Sequence, residues 1–138
     1  MKMRETILAE IKEWLTKIGE PLGFKKLRIR NNSDFTEIYL IGNHALQVEV
    51  DWRENNLFLY AVYLKNNKLP PKSVIYRYED GQWCRRFLED VYKTKRPLEK
   101  DKDRRYTAQY LFDCFTFYEQ LIDGAPEVLI RFNNTGDI

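Results

Sequence analysis

Residues 44–64 read HALQVEVDWRENNLFLYAVYL. Leu46, Val48, Val50 and Trp52 alternate with Gln47, Glu49, Asp51 and Arg53, a period of two that puts the apolar set on one face of a strand and the polar set on the other. Glu54-Asn55-Asn56 supplies a short turn. From Leu57 to Leu64, Phe58, Tyr60 and Val62 oppose Leu59, Ala61 and Tyr63, so both faces of this second strand read as covered and a central place in the sheet is expected. A turn this short joins antiparallel neighbours, because a parallel crossover needs roughly a dozen residues or more.

Two further strands precede this pair. Phe35 to Ile41 is rich in β-branched and aromatic residues and ends at Gly42-Asn43, while Leu27 and Ile29 alternate with Lys26, Arg28 and Arg30 before the turn residues Asn31 to Asp34. Four strands are therefore expected between residues 24 and 65. Ahead of them, Ile7, Leu8, Ile11, Trp14, Leu15 and Ile18 recur at three- and four-residue spacing, which predicts a helix over Arg4 to Glu20, ended by Gly19 and Pro21.

Beyond the strands, Asn66 to Lys72 with Pro70-Pro71 is a break, and Ser73 to Tyr78 reads as a short further strand. Asp80 is positioned to cap a helix from Gln82 to Tyr92, with Cys84, Phe87, Leu88 and Val91 inward. Asp103 caps a longer helix from Arg104 to Ile122, Pro126 opens a short terminal helix, and Asn133 to Ile138 reads as a flexible tail. The expectation is one α+β domain over residues 1–132, its N-terminal and C-terminal helices packed on one face of a four- to five-stranded, mainly antiparallel sheet.

With 138 residues, 43% hydrophobic and 32% charged, the chain suits one packed core, is too apolar to be disordered, and has no apolar run of the ~18 residues that a membrane span needs. Twenty-three Lys+Arg against 21 Asp+Glu leave +2, too balanced to mark a nucleic-acid or membrane binder by bulk charge. The start, Met-Lys-Met-Arg-Glu, lacks the apolar stretch of a signal peptide, so the cytoplasm is the expected compartment, with Cys84 and Cys114 as core thiols.

The polar strand face carries the leading candidate site. Glu37 with Gln47, Glu49, Asp51 and Arg53 would form a charged surface for a basic protein partner, or simply the solvated side of the sheet. Aromatic residues make up 14% of the chain, including nine Tyr. Trp14, Phe58, Phe87, Phe115 and Phe117 suit the core, whereas tyrosines exceed what a small core uses. Tyr76 and Tyr78, near Trp83, are candidates for a partner-binding surface, against the alternative of tyrosines at the core boundary.

Other chemistry is thinly supported. The stretch Lys93 to Arg105 offers bases for phosphates, giving a nucleic-acid-associated protein as one alternative, but Glu99, Asp101 and Asp103 dilute it. Lys25, Lys26, Arg28 and Arg30 read as a basic strand edge that discourages edge-to-edge pairing. His44 is the one histidine, so no His-pair metal site can form, and no phosphate loop, nucleophile elbow or zinc spacing is present. No cofactor, metal or catalytic residue is assigned; an enzyme with a carboxylate site at Glu49 and Asp51 is the other alternative.

The order helix, meander, helices, with the run Gly42 to Glu54 followed by Leu57-Phe58-Leu59-Tyr60, resembles the small immunity proteins of bacterial polymorphic-toxin and contact-dependent inhibition systems. The resemblance covers residues 4–92 in organisation, and its specific part is the acidic strand ending in Asp51-Trp52-Arg53. It implies a non-enzymatic cytoplasmic binder that blocks a cognate toxin, with the acidic strand suited to a basic toxin domain.

Overall fold

The structure is a computed structural model that describes residues 2–31, 34–71, 77–96 and 108–137. The first helix, α1, runs from Lys2 to Gly19 and buries Ile7, Ile11 and Leu15, one residue per turn on a single stripe. Gly19 closes it against the sheet, where any Cβ would collide with the Leu40 side chain. A 3-10 turn, Glu20–Leu22, follows and ends at Gly23, whose φ of +101° lies in the left-handed region that glycine adopts without strain.

Five strands come next: β1 (Lys26–Asn31), β2 (Phe35–Ile41), β3 (Ala45–Asp51), β4 (Asn56–Val62) and β5 (Arg85–Phe87). They lie side by side in chain order, every pair antiparallel. The period-two pattern of residues 44–64 is thus met by a meander. Helices α2 (Leu88–Val91), α3 (Ala108–Gly124) and α4 (Pro126–Thr135) complete the fold.

On the helix-covered face, Ile38, Leu40, Leu46, Val48, Val50, Leu57 and Leu59 join Ile11, Leu15, Leu111, Tyr118, Leu129 and Phe132 in the main core. Each such Leu or Ile removes enough apolar surface from water to contribute about 1.5–3 kcal/mol. The opposite face is also covered. Tyr39, Ala45, Tyr60 and Val62 form a second cluster there, joined by Phe58, Leu69 and Phe87. The connection leaving β4 turns back across it, and Arg30 Nη1 on β1 donates to the Pro70 carbonyl at 2.8 Å.

Several expectations are corrected. The helix expected from Gln82 is a strand over Arg85–Phe87, paired with Tyr60–Val62, and helix begins only at Leu88. Part of the edge of β4 is free to bond there, and that demand for backbone partners overrides a helical spacing of apolar residues. Phe87 consequently packs on the outer face, where the register opposite Glu49 also places Phe58, and neither joins the helix-on-sheet core. The terminal helix continues to Thr135, beyond the expected start of a tail at Asn133, and Asn133 itself is buried. The strand expected at Ser73 to Tyr78 lies largely outside the described residues; Arg77 within it makes an isolated bridge to Trp83.

Candidate functional site

The polar half of β3 is interior. Gln47 is 0% exposed, Glu49 8% and Asp51 6%. The expectation of a charged, solvent-facing strand is therefore corrected: the face is polar in sequence and buried in the fold. Burial obliges each group to find a hydrogen-bond partner, and register supplies them. Tyr60 stands opposite Gln47 and Phe58 opposite Glu49. The Tyr60 hydroxyl, one residue pair along, donates to Glu49 Oε2 at 2.9 Å.

Glu37, half-buried on β2, accepts the Tyr39 hydroxyl and, at 3.2 Å, Gln47 Nε2. From β5, the fully buried Arg85 sends Nε to Gln47 Oε1 at 2.9 Å and Nη2 to the Tyr39 hydroxyl at 3.4 Å. Desolvation, then the neighbouring Glu37 and Glu49, push both phenols above their usual range, so Tyr39 and Tyr60 serve as donors rather than bases. Asp51 accepts the Arg53 and Glu54 amides at 3.0 and 3.3 Å and so shapes the β3–β4 turn. Arg53 is exposed and stands 5.6 Å from the Phe35 ring centre.

A second polar group covers the edge of β4. The Tyr63 amide donates to the Cys84 carbonyl, so by antiparallel alternation the odd-numbered residues of β4 direct their backbone groups to this side. β5 pairs only with Tyr60 to Val62. Alongside the remainder sit Tyr118 and Cys114 of α3, Glu89 of α2 and the 5%-exposed Arg96. Tyr118 donates to Glu89 Oε1 at 2.7 Å, and Arg96 reaches Tyr110, Cys114 and Asn56 while its guanidinium lies 5.0 Å from the Phe58 ring centre. Burial raises the Glu89 carboxyl above its ordinary range, against the lowering effect of the Tyr118 hydroxyl and Arg96. A cleft of about 350 Å³ opens here between Phe58, Phe87, Glu89 and Arg96.

Arg96 therefore leaves the basic stretch expected to face phosphates; Lys93 and Lys95 are exposed, and residues 97–105 lie outside the described residues. Among the described residues no group of three or more His, Cys, Asp or Glu is placed to hold a metal. Both cysteines are buried free thiols. No helix of the described residues is long and apolar enough to cross a membrane.

The tyrosines divide differently from expectation. Tyr39, Tyr60, Tyr63, Tyr110 and Tyr118 are buried, Tyr78 and Tyr92 are half-buried, and Tyr76 and Tyr106 lie outside the described residues. Tyr78 belongs to a small hairpin. Arg77 and Trp83 bridge, the Tyr78 amide donates to Gln82 O at 2.8 Å, and Gly81 at φ +83° makes the turn. The Arg77 guanidinium lies 4.3 Å from the centre of the 37%-exposed Trp83 ring, and Lys65 Nζ lies 4.9 Å from that of Tyr78. Glu79 and Asp80 are exposed at the tip, and beneath it Trp83, Arg86, Phe87 and Lys93 border a cleft of about 470 Å³.

The sequence reading missed Arg85, Glu89, Arg96 and the Arg77–Trp83 pair. A signal for the first was present: Trp83, Arg85 and Phe87 alternate with Cys84 and Arg86, a strand period obscured by the helical spacing of Cys84, Leu88 and Val91. Compared with known proteins, the chain matches no family model, no curated protein and no solved structure.

Proposed function

We propose that the chain is a non-enzymatic protein-binding module of the toxin-neutralising kind, which docks through the Arg77–Trp83 hairpin. The observation that carries this reading is the exposed Trp83 ring held against Arg77, beside Tyr78 under Lys65, on a backbone-bonded turn. Trp, Tyr and Arg dominate interface energetics because they offer large contact areas at little rotamer cost, and here their conformations are preset by the turn. The tip adds Glu79 and Asp80. Asp80 accepts the Gln82 amide and pairs with Lys65 at 3.4 Å, so Glu79 is the tip carboxylate offered to a partner, matched by an apolar socket with a basic group at its rim. This replaces the strand carboxylates as the contact surface while keeping a basic toxin domain as the partner, as the immunity-protein resemblance implies.

Affinity capture from the source cell, with the wild-type chain and with Trp83→Ala as baits, tests the reading. The expected result is one specific partner, its affinity lowered by about 2 kcal/mol in the Trp83→Ala chain. A secreted toxin encoded immediately upstream, whose growth arrest the chain relieves, would support the neutralising role. Capture that Trp83→Ala and Tyr78→Ala leave unchanged removes the hairpin as the docking surface.

A further inference from the structure

The sheet ends at β1, and no strand among the described residues pairs with its outer side. The Trp52 amide donates to the Asp34 carbonyl, which sets the alternation across the meander: even-numbered residues of β2 bond β3, odd-numbered ones bond β1. With Arg28 opposite Tyr39 and Arg30 opposite Glu37, the even residues of β1 bond inward to the sheet, and Leu27 and Ile29 turn their N–H and C=O groups to the edge. The same two residues point their side chains to the helix-covered face, where Leu27 is 39% exposed and Ile29 is half-buried against the core. On the other face stand Lys26, Arg28 and Arg30, preceded by the exposed Lys25; no acidic residue interrupts them.

Charged side chains, a proline, a bulge or a covering segment guard a strand edge against indiscriminate pairing, and on β1 the guard is charge of a single sign on a single face, which repels basic strands and admits acidic ones. β1 has six residues without proline, and Leu27 and Ile29 on its core-side face are apolar. We propose that β1 is a docking strand that accepts an extended acidic segment of a partner protein as a sixth strand. The segment's backbone would bond Leu27 and Ile29, its apolar residues would extend the core-side face over Leu27, and its alternate carboxylates would meet Lys26 and Arg28. Charge selects among occupants: a second copy of this chain would bring Lys26 and Arg28 against their own kind, and like charges directly opposite each other across strands are destabilising. The surface is distinct from the hairpin and does not depend on it.

The test is an NMR titration of the full chain with a synthetic peptide of alternating glutamate and valine, compared with one of alternating lysine and valine. The expected result is amide shifts and slowed exchange centred on Leu27 and Ile29 with the acidic peptide alone, weakening as salt is added. Arg28→Glu should weaken the acidic peptide about tenfold with the fold unchanged. Ile29→Pro, which removes an outward N–H, should abolish binding, and Trp83→Ala should have no effect on it. Shifts centred elsewhere, equal binding of the basic peptide, absence of binding to the acidic one, or a concentration-dependent dimer of the chain through β1 would overturn the proposal.

Discussion

Arg85 Nε donates to Gln47 Oε1 at 2.9 Å on the outer face of the sheet, between two fully buried residues 38 apart in the chain. Gln47→Leu keeps the volume and removes the acceptor, leaving the guanidinium with one bond fewer. The expected cost is about 2 kcal/mol, because hydrogen bonds to buried charges are worth more than neutral ones. Urea unfolding should show a lower midpoint at an unchanged slope; an unchanged midpoint would show that the bond contributes nothing.

Glu49 and Arg53 differ by four positions and by environment. Glu49→Lys places a cation in the pocket where Glu49 accepts the Tyr60 hydroxyl, and is expected to cost about 3–5 kcal/mol. Arg53→Ala removes a 3.9 Å contact to Asp51 from a side chain that is 61% exposed, and should shift stability by less than about 1 kcal/mol. Thermal melts of the two variants check both. Equal melting temperatures would contradict the burial of the strand face.

Asn133 ties α4 to the β2–β3 turn. Its Oδ1 accepts the Asn43 and His44 amides at 2.9 and 3.1 Å, and its Nδ2 donates to the Gly23 carbonyl at 3.2 Å. Asn133→Ala should cost about 2–3 kcal/mol and raise hydrogen exchange at Asn43 and His44. Gly42→Ala should disturb the same joint, since a Cβ there would lie 2.5 Å from Gly23 O and 2.6 Å from Asn133 Oδ1. A wild-type exchange pattern in Asn133→Ala would refute the tie.

His44 Nδ1 accepts the Leu64 amide at 3.1 Å, which requires the neutral ring, and burial lowers its pKa below the ordinary 6.5. The unfolded chain therefore binds a proton at higher pH than the folded one. Stability from this group is complete above about pH 6.5 and is lost as pH falls from there through the folded pKa. Glu89, whose pKa burial raises, acts in the opposite sense, favouring the fold as pH falls toward the carboxylate range. The difference between wild type and His44→Gln across about pH 7 to 5 isolates the histidine: the wild type should lose stability faster on acidification. Parallel curves would show that His44 does not titrate on unfolding.

What was legible in the sequence was local. The β1 to β4 meander follows from period-two alternation and short turns, and α1 from a stripe of Ile7, Ile11 and Leu15, because these patterns are imposed by backbone geometry within a few residues. The 82–92 segment was misread because Cys84, Leu88 and Val91 satisfy a helical period while β4 still offers edge groups that only a strand can bond. Of the candidate contacts, Tyr78 stands on an accessible hairpin and Arg53 is exposed, whereas Gln47, Glu49 and Asp51 are interior.

Local alternation dictates which residues share a face of the sheet: Gln47, Glu49 and Asp51 do lie together, opposite Leu46, Val48 and Val50. Whether that face meets water is set by long-range packing. Its burial depends on a connection that returns to β1 at Pro70 and on Arg85, which reaches Gln47 from β5. Alternation records the direction in which a side chain points, but solvent access depends on which distant segment lies above it, and no local period encodes that.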